Sequence, residues 1–154
     1  MKQEPKPIEI KRLNESDLPF FKSLIDLFNL IFEENRSNIG SDATLAALLG
    51  KSHFIAMAAL AEQEVVGGLT AYELPLYYAD HSEVFVYDLA VKPEYQRMGV
   101  GKELIRSLQA ACSRRGVREF FVLAHEEDEY AIEFYHSTGG KSEWVVNFLY
   151  ETSE

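Results

Sequence analysis

The sequence predicts an α/β domain: a mixed, mostly antiparallel central sheet flanked by about four helices. Three observations carry that expectation. Short apolar runs with strand character recur along the chain, amphipathic segments at helical spacing lie between them, and residues 83–105 read as strand, glycine turn and helix in direct succession. At 154 residues the chain suits one domain whose core needs neither disulfide nor metal. Residues 1–7, with Pro5 and Pro7, read as a mobile lead-in, and 8–151 as the single domain.

The elements follow in order. "IEIKRL" (8–13) alternates apolar and polar residues, as a half-buried strand does. Ser16 or Asp17 can cap a helix over 17–33, with Pro19 in its first turn and Phe21, Leu24, Ile25, Phe28, Ile31 and Phe32 on one face. Glu33 and Glu34 at its end could reach a substrate cleft but read better as solvated acids. Ser41 caps a short helix that stops at Gly50. Residues 53–74 are two apolar runs around Glu62-Gln63-Glu64, a hairpin signal, in which Gly67 and Gly68 suggest a bulge or a close backbone approach. After the loop "PLYYADHS", 83–91 is a third long strand. Leu104, Ile105, Leu108, Ala111 and Cys112 mark one face of a helix that Gly116 ends. "EFFVLA" (119–124) is a strand, 129–138 a helix before Gly139-Gly140, and "EWVVNFLYE" (143–151) a closing strand in which Trp144 and Phe148 pack.

Composition narrows the function classes. With 47% hydrophobic and 26% charged residues the chain is neither disordered nor fibrous. Its formal net charge of −10 argues against nucleic acid as a general partner. The same charge suits a polycationic small molecule, or simply solubility. No apolar run reaches the roughly 18 residues of a membrane span, and the start lacks a secretion signal's apolar centre, so the expected location is cytoplasmic. The single Cys112 gives no disulfide framework, and His53, His81, His125 and His136 lack metal-ligand spacing, so no metal is expected.

The junction at 83–105 carries the chemistry. A glycine turn opening a helix leaves backbone N–H groups pointing outward at the positive end of the helix dipole, which is how proteins hold phosphates. Gly99 and Gly101 let the main chain approach a diphosphate, and Arg97 and Lys102 add full charges. The spacing is not that of a nucleoside-triphosphate loop. Position 104, where a dinucleotide fingerprint needs its third glycine, is Leu. A diphosphate ligand outside both classes points to coenzyme A.

Gln96-x-x-Gly99-x-Gly101 after "DLAVKPEY" resembles the acetyl-CoA signature of the Gcn5-related N-acetyltransferases, the GNAT superfamily, and "AIEFYHSTGG" (131–140) resembles its second signature. "LIDLFNLIFEE", "FIAMAALAEQEVVGGLTAYELP" and "SEVFVYDLAV" are similar to the aminoglycoside 3-N-acetyltransferases of the gentamicin/fortimicin type. The likeness runs over roughly 8–151. It implies a sheet splayed at an acetyl-CoA site, where Leu89, Ala90 and Val91 face the pantetheine arm and one of their N–H groups holds the oxyanion. It implies that Gln96, Arg97, Gly99, Val100, Gly101 and Lys102 cradle the diphosphate, with Asp128, Phe134 and Tyr135 also at the cofactor. Many members carry Asn where this chain has Asp128, and an ionised Asp cannot donate, which shifts its expected role toward the substrate. The implied reaction is acetyl transfer to a polycationic amine, an aminoglycoside, giving antibiotic resistance. A polyamine or protein amine as acceptor, and a CoA-binding module without catalysis, are the alternatives. Subunit pairing is common in the family, and the aromatic C-terminal strand offers an edge for a homodimer.

Two residues are candidates for catalysis. Tyr135 is either the acid that protonates the leaving thiolate or a core aromatic; a phenol near pKa 10 suits a thiolate near 8 or 9. Asp88 sits in an apolar strand, where an unpaired carboxylate is costly. It either satisfies backbone groups at a bulge or strand splay, or faces the incoming amine. A carboxylate near 4 and an ammonium near 10 differ by about 6 units, roughly 8 kcal/mol, so Asp88 would not strip the ground-state ammonium. It would orient the amine or take the proton once the nitrogen has bonded to carbon. Tyr87, beside it, and Glu126, Asp128 and Glu129 of "HEEDEY" are candidates for the substrate wall; the acids read equally as a solvated loop and helix N-terminus.

Overall fold

The computed structural model describes residue 4, residues 6–33 and residues 39–153. Residues 1–3 and 5 of the expected lead-in, and Glu34, lie outside them. The chain divides into two compact units, 1–123 and 124–154.

The first unit is a five-stranded sheet in the order β1 (Ile8–Arg12), β2 (Phe54–Ala61), β3 (Glu64–Pro75), β4 (Ser82–Val91) and β5 (Phe120–Val122). Neighbours through β4 are antiparallel, and β5 runs parallel to β4. Helices α1 (Leu18–Ile31) and α2 (Asp42–Leu49) fall between β1 and β2, and α3 (Val100–Arg114) between β4 and β5. This is the expected mixed sheet. All eight residues of β2 are buried, because helices cover both faces. Ile55, Met57, Ala59 and Ala61 pack with Leu104, Leu108, Ala111 and Cys112 of α3. The alternate residues Phe54, Ala56, Ala58 and Leu60 pack with Phe21, Leu24, Leu27 and Phe28 of α1 and Leu45 and Leu49 of α2.

Caps explain where helices begin. Of the expected caps, Asp17 stands at the N-cap of α1 but makes no side-chain capping bond there, and the entry is set by Asn14. The Asn14 side chain accepts from the Ser16 N–H, and the Asn14 N–H donates to Asp17 Oδ2 at 2.9 Å, which fixes a short 3-10 turn ahead of the helix. Asp17 is thereby turned toward Lys11, 2.9 Å away. Ser41 caps α2 by accepting from the Thr44 N–H.

The β2–β3 hairpin turns at Glu62 and Gln63, whose φ values of 49° and 69° give the left-handed pair that matches strand twist. Gly67 and Gly68 allow the close approach expected of them, one on each face. A Cβ on Gly67 would lie 3.0 Å from the Ala90 carbonyl oxygen and 3.4 Å from Val100 of α3; one on Gly68 would lie 2.5 Å from Leu24 of α1. The register shift between Ala59 and Leu60 leaves Val66, next to Gly67, as a bulge residue.

Two expectations are corrected. β5 is three residues long rather than spanning 119–124. Residues 141–153 form neither helix nor strand. Trp144, Val146, Phe148, Leu149 and Tyr150 are each at least 75% exposed, so Trp144 and Phe148 do not pack as expected. Strand propensity becomes a strand only where a neighbour pairs with it, and among the described residues none pairs with 143–151. The second unit instead contributes one helix, α4 (Glu129–Ser137), followed by Gly139 at φ 97°.

Candidate active site

β4 has two partners over three of its ten residues and at most one over the rest. Its parallel pairing with β5 covers only Val84, Val86 and Phe85 between them. From Tyr87 to Val91 only β3 pairs with it among the described residues. The strand edge at Leu89, Ala90 and Val91 is therefore open on the β5 side, and an extended chain could pair there.

The parting coincides with a bulge. Thr70 pairs with Asp88 and Ala71 with Val86, so Tyr87 is the extra residue. Side chains alternate along a strand, and one extra residue reverses the alternation. Val84 and Val86 pack on the α3 side, yet beyond the bulge it is Leu89 and Val91 that do so. Asp88 consequently shares the α1/α2 side with Ala90 and, across on β3, with Thr70 and Tyr72. It is half-buried, because β4 has already left β5. The bulge and the parting of paired strands are both present at Asp88, and they place its side chain on the α1/α2 side of the sheet.

Aromatic rings cluster on the same face. Tyr72 lies 5.2 Å from Phe54 and 6.0 Å from Tyr87, and Phe85 lies 5.8 Å from Tyr87 and stacks on Phe121 at 4.9 Å. Burial, Tyr87 and the Asp88 carboxylate push the Tyr72 phenol above its usual pKa, so it stays neutral.

Beyond Val91 a short 3-10 turn (Pro93–Tyr95) leads into the glycine turn. Gln96 Nε2 donates to the Val91 carbonyl at 3.0 Å, tying the turn to the end of β4. Arg97 and Gly99 both lie in the left-handed region, at φ 61° and 84°. Gly99 is the N-cap of α3 and no side chain caps that end. The first-turn N–H groups of Val100, Gly101 and Lys102 precede the first intrahelical bond, from Glu103 N–H to the Gly99 carbonyl. Nothing lies within 4 Å of where a Gly99 Cβ would be, and Arg97, Met98 and Lys102 are exposed. An open, uncapped N-terminus on a 15-residue helix with two cations beside it fits a diphosphate.

In the second unit, Asp128 caps α4: its Oδ1 accepts from the Ala131 N–H at 3.0 Å. Glu126 and Glu129 are exposed beside it. Phe134 and Tyr135 are half-buried, their rings 5.1 Å apart and edge-on. The Tyr135 carbonyl accepts from the Gly140 N–H and from Thr138 Oγ1, both at 2.9 Å, which closes the end of the helix.

The acetyltransferase (GNAT) family profile matches residues 21–139. The chain belongs to the acetyltransferase (GNAT) family. An aminoglycoside acetyltransferase, meta-AAC0020, from an uncultured soil metagenomic sample and solved with sisomicin, is 40% identical, with 95% of this chain and 97% of that chain covered at a TM-score of 0.91. A second, HMB0005, also from an uncultured soil metagenomic sample, is 34% identical over 96% and 99% of the two chains at a TM-score of 0.90. The ribosomal protein bS18-alanine N-acetyltransferase of Escherichia coli (strain K12) is 27% identical over 88 residues, 57% of this chain and 58% of that protein's length.

In this GNAT chain the expected residues fall in both units. Tyr87, Asp88, Leu89, Ala90, Val91, Gln96, Arg97, Gly99, Val100, Gly101 and Lys102 belong to the first, where β4, the glycine turn and the start of α3 carry them in succession. Glu126, Asp128, Glu129, Phe134 and Tyr135 belong to the second. Sequence reasoning missed Thr70, Tyr72 and Phe85 around Asp88; the alternation of β3 and β4 contains them, but only the pairing register shows that they share its face. Among the described residues no cluster of three or more metal-ligating side chains occurs, and no helix is long and apolar enough to cross a membrane. Burial pushes the Cys112 thiol up, with Glu73 adding to it, which suits a core side chain rather than a nucleophile.

Proposed function

We propose that this chain transfers the acetyl group of acetyl-CoA to an amine of a polycationic acceptor, an aminoglycoside acetylated at its 3-amino group, by direct attack in a ternary complex. The observation that carries the reading is the opening of β4 away from β5 beside Asp88, with the uncapped α3 N-terminus at the end of the same strand. The 40% identity to an enzyme solved with sisomicin supports the acceptor class.

Bound acetyl-CoA supplies a thioester carbonyl and a thiolate leaving group. The N–H groups of Val100, Gly101 and Lys102, with Arg97 and the Lys102 ammonium, hold the diphosphate. The open edge at Leu89, Ala90 and Val91 pairs with the pantetheine amides, and an N–H of this stretch steadies the charge that develops on the carbonyl oxygen. Asp88 orients the acceptor amine. When the nitrogen–carbon bond forms and the carbon–sulfur bond breaks, the proton leaving nitrogen goes to Asp88 or to a water beside it. Tyr135 is assigned the proton for sulfur on the likeness of 131–140 to the second family signature. Asp128 and Phe134 belong with it at the cofactor, and Glu126, Asp128 and Glu129 favour a cationic acceptor. Neutralising one amine weakens the product's attraction to anionic RNA, which would confer resistance.

A second reading, a protein amine as acceptor, draws on the bS18-alanine acetyltransferase likeness. Thiol release with acetyl-CoA and a panel of gentamicin, sisomicin, a polyamine and an alanine-starting peptide decides between them, with mass spectrometry locating the acetylated nitrogen. Turnover on the peptide alone would overturn the aminoglycoside assignment. Asp88→Asn should lower kcat by roughly 10²-fold, the range of a general-base contribution, while acetyl-CoA affinity holds. We also propose that two copies pair, since the apolar stretch 144–150 is exposed in the single chain.

A further inference from the structure

The exposed aromatic ring beside Asp88 has a construction that a single amine site does not need. The bulge leaves Tyr87 without a partner residue on β3. A large ring at such a position could lie anywhere on the surface. Here it is held by two neighbours at once, edge-on to Tyr72 (78° at 6.0 Å) and to Phe85 (68° at 5.8 Å). Those neighbours are fixed in turn: Phe85 stacks on Phe121, and Tyr72 packs on Phe54, which packs on Phe21 of α1. Tyr87 is thus braced by two rings, yet the residue remains 57% exposed. A braced, exposed aromatic ring that shares its neighbour Tyr72 with a carboxylate suits an organic cation, because the ring quadrupole and the charge act in the same sense.

We propose that Tyr87, braced by Tyr72 and Phe85, binds a second, non-reacting ammonium group of the acceptor next to Asp88. The inference rests on the proposed amine acetylation and specifies the acceptor: a molecule with at least two amines, one of which stays protonated. The division of labour follows from chemistry. The attacking amine must lose its proton to have a lone pair, whereas an aromatic face stabilises the protonated form. The ring therefore suits a neighbouring amine and not the nucleophile. The neutral Tyr72 phenol keeps a second uncharged ring beside the carboxylate and can offer its oxygen to the same ammonium.

The test uses the full chain and tetramethylammonium, a cation that cannot be acetylated. Its methyl proton resonance should shift upfield saturably on adding protein, against a sodium chloride control of equal ionic strength. The shift should be lost in Tyr87→Leu and kept in Tyr87→Phe, which retains the ring. With sisomicin as acceptor, Tyr87→Leu should raise KM about 5- to 30-fold, the equivalent of about 1–2 kcal/mol for a cation–π contact, with kcat little changed. Tyr72→Leu should do the same more weakly by unbracing the ring. No saturable shift with the parent chain, or a Tyr87→Leu chain that keeps both shift and KM, overturns the proposal. A saturable shift with no turnover of sisomicin supports the cation site and overturns the acceptor reading on its own.

Discussion

Gly68→Ala probes the close approach of α1 to the sheet. The added Cβ would lie 2.5 Å from Leu24 Cδ1, 2.9 Å from Leu24 Cδ2 and 2.5 Å from the Met57 carbonyl oxygen. Leu24 is fully buried, so its side chain has little room to turn away. Met57 is part of the β2 ladder, where Gly68 pairs with Ala58 next to it, so its carbonyl cannot move without shifting two strands. Overpacking of this kind costs about 1–3 kcal/mol. The loss of unfolded-chain freedom on replacing glycine returns about 0.4–1 kcal/mol. A net loss of roughly 1–2 kcal/mol in a chain of this length lowers Tm by about 2–8 °C. Thermal melts by circular dichroism measure it. A double variant with Leu24→Ala should lose less than the two single variants together, by more than about 0.5 kcal/mol, since the residues share one space. The effect should also reach the site, because Gly68 pairs with Ala90, two residues beyond Asp88. A Gly68→Ala chain that melts with the parent would mean that α1 does not rest on β3 at this point, and the packing argument would fail.

Three further outcomes are expected. Burial would raise the Asp17 carboxyl, but the Asn14 N–H and the Lys11 ammonium together hold it below the usual carboxylate range. Its contribution is therefore present above about pH 4 and lost as pH falls through the lower folded value; Asp17→Asn should cost about 1–3 kcal/mol at neutral pH and flatten the acid limb of a Tm-against-pH curve, and an unchanged limb would refute it. Gly99→Ala forces a side chain into the left-handed region at a cost of about 1–2 kcal/mol and should weaken acetyl-CoA binding roughly tenfold by calorimetry, about 1.4 kcal/mol for one lost contact; an unaltered affinity would remove the turn as the diphosphate site. Light scattering should give the mass of two chains, and Val146→Asp with Leu149→Asp should give that of one; a single-chain mass for the parent at high micromolar concentration would rule the pairing out.

What the sequence made legible was local. The α1 and α3 stripes lie in the residues themselves, as does the Ser41 cap, and each helix forms close to where its pattern begins and ends. Glu62-Gln63 was readable as a turn from polarity alone, although neither residue is a usual choice for the positive φ it adopts. The pair Gly67-Gly68 announced a close approach. What stayed hidden depends on partners. "EWVVNFLYE" has every local mark of a strand, yet pairing is a property of two segments. β5 is short for the same reason: Leu123 and Ala124 have strand character and no ladder to join. Tyr72 and Phe85 could not be tied to Asp88 without knowing which residues of β3 and β4 stand opposite each other.

The bulge at Tyr87 is the condition under which β4 can carry both a core and a carboxylate. Val84, Val86 and Asp88 are spaced by two, and in an unbroken strand all three would face α3. Asp88 would then point among Leu104, Leu108 and Val100, all fully or nearly fully buried, where an unpaired carboxylate costs several kcal/mol or gives up its charge. The extra residue moves it to the face shared with Thr70 and Tyr72, at the level where β5 has ended its pairing. It simultaneously returns Leu89 and Val91 to the α3 side, so the core loses nothing. One residue without a partner thus accounts for two features that otherwise look unrelated: an ionisable group within an apolar strand, and a tyrosine exposed beside it.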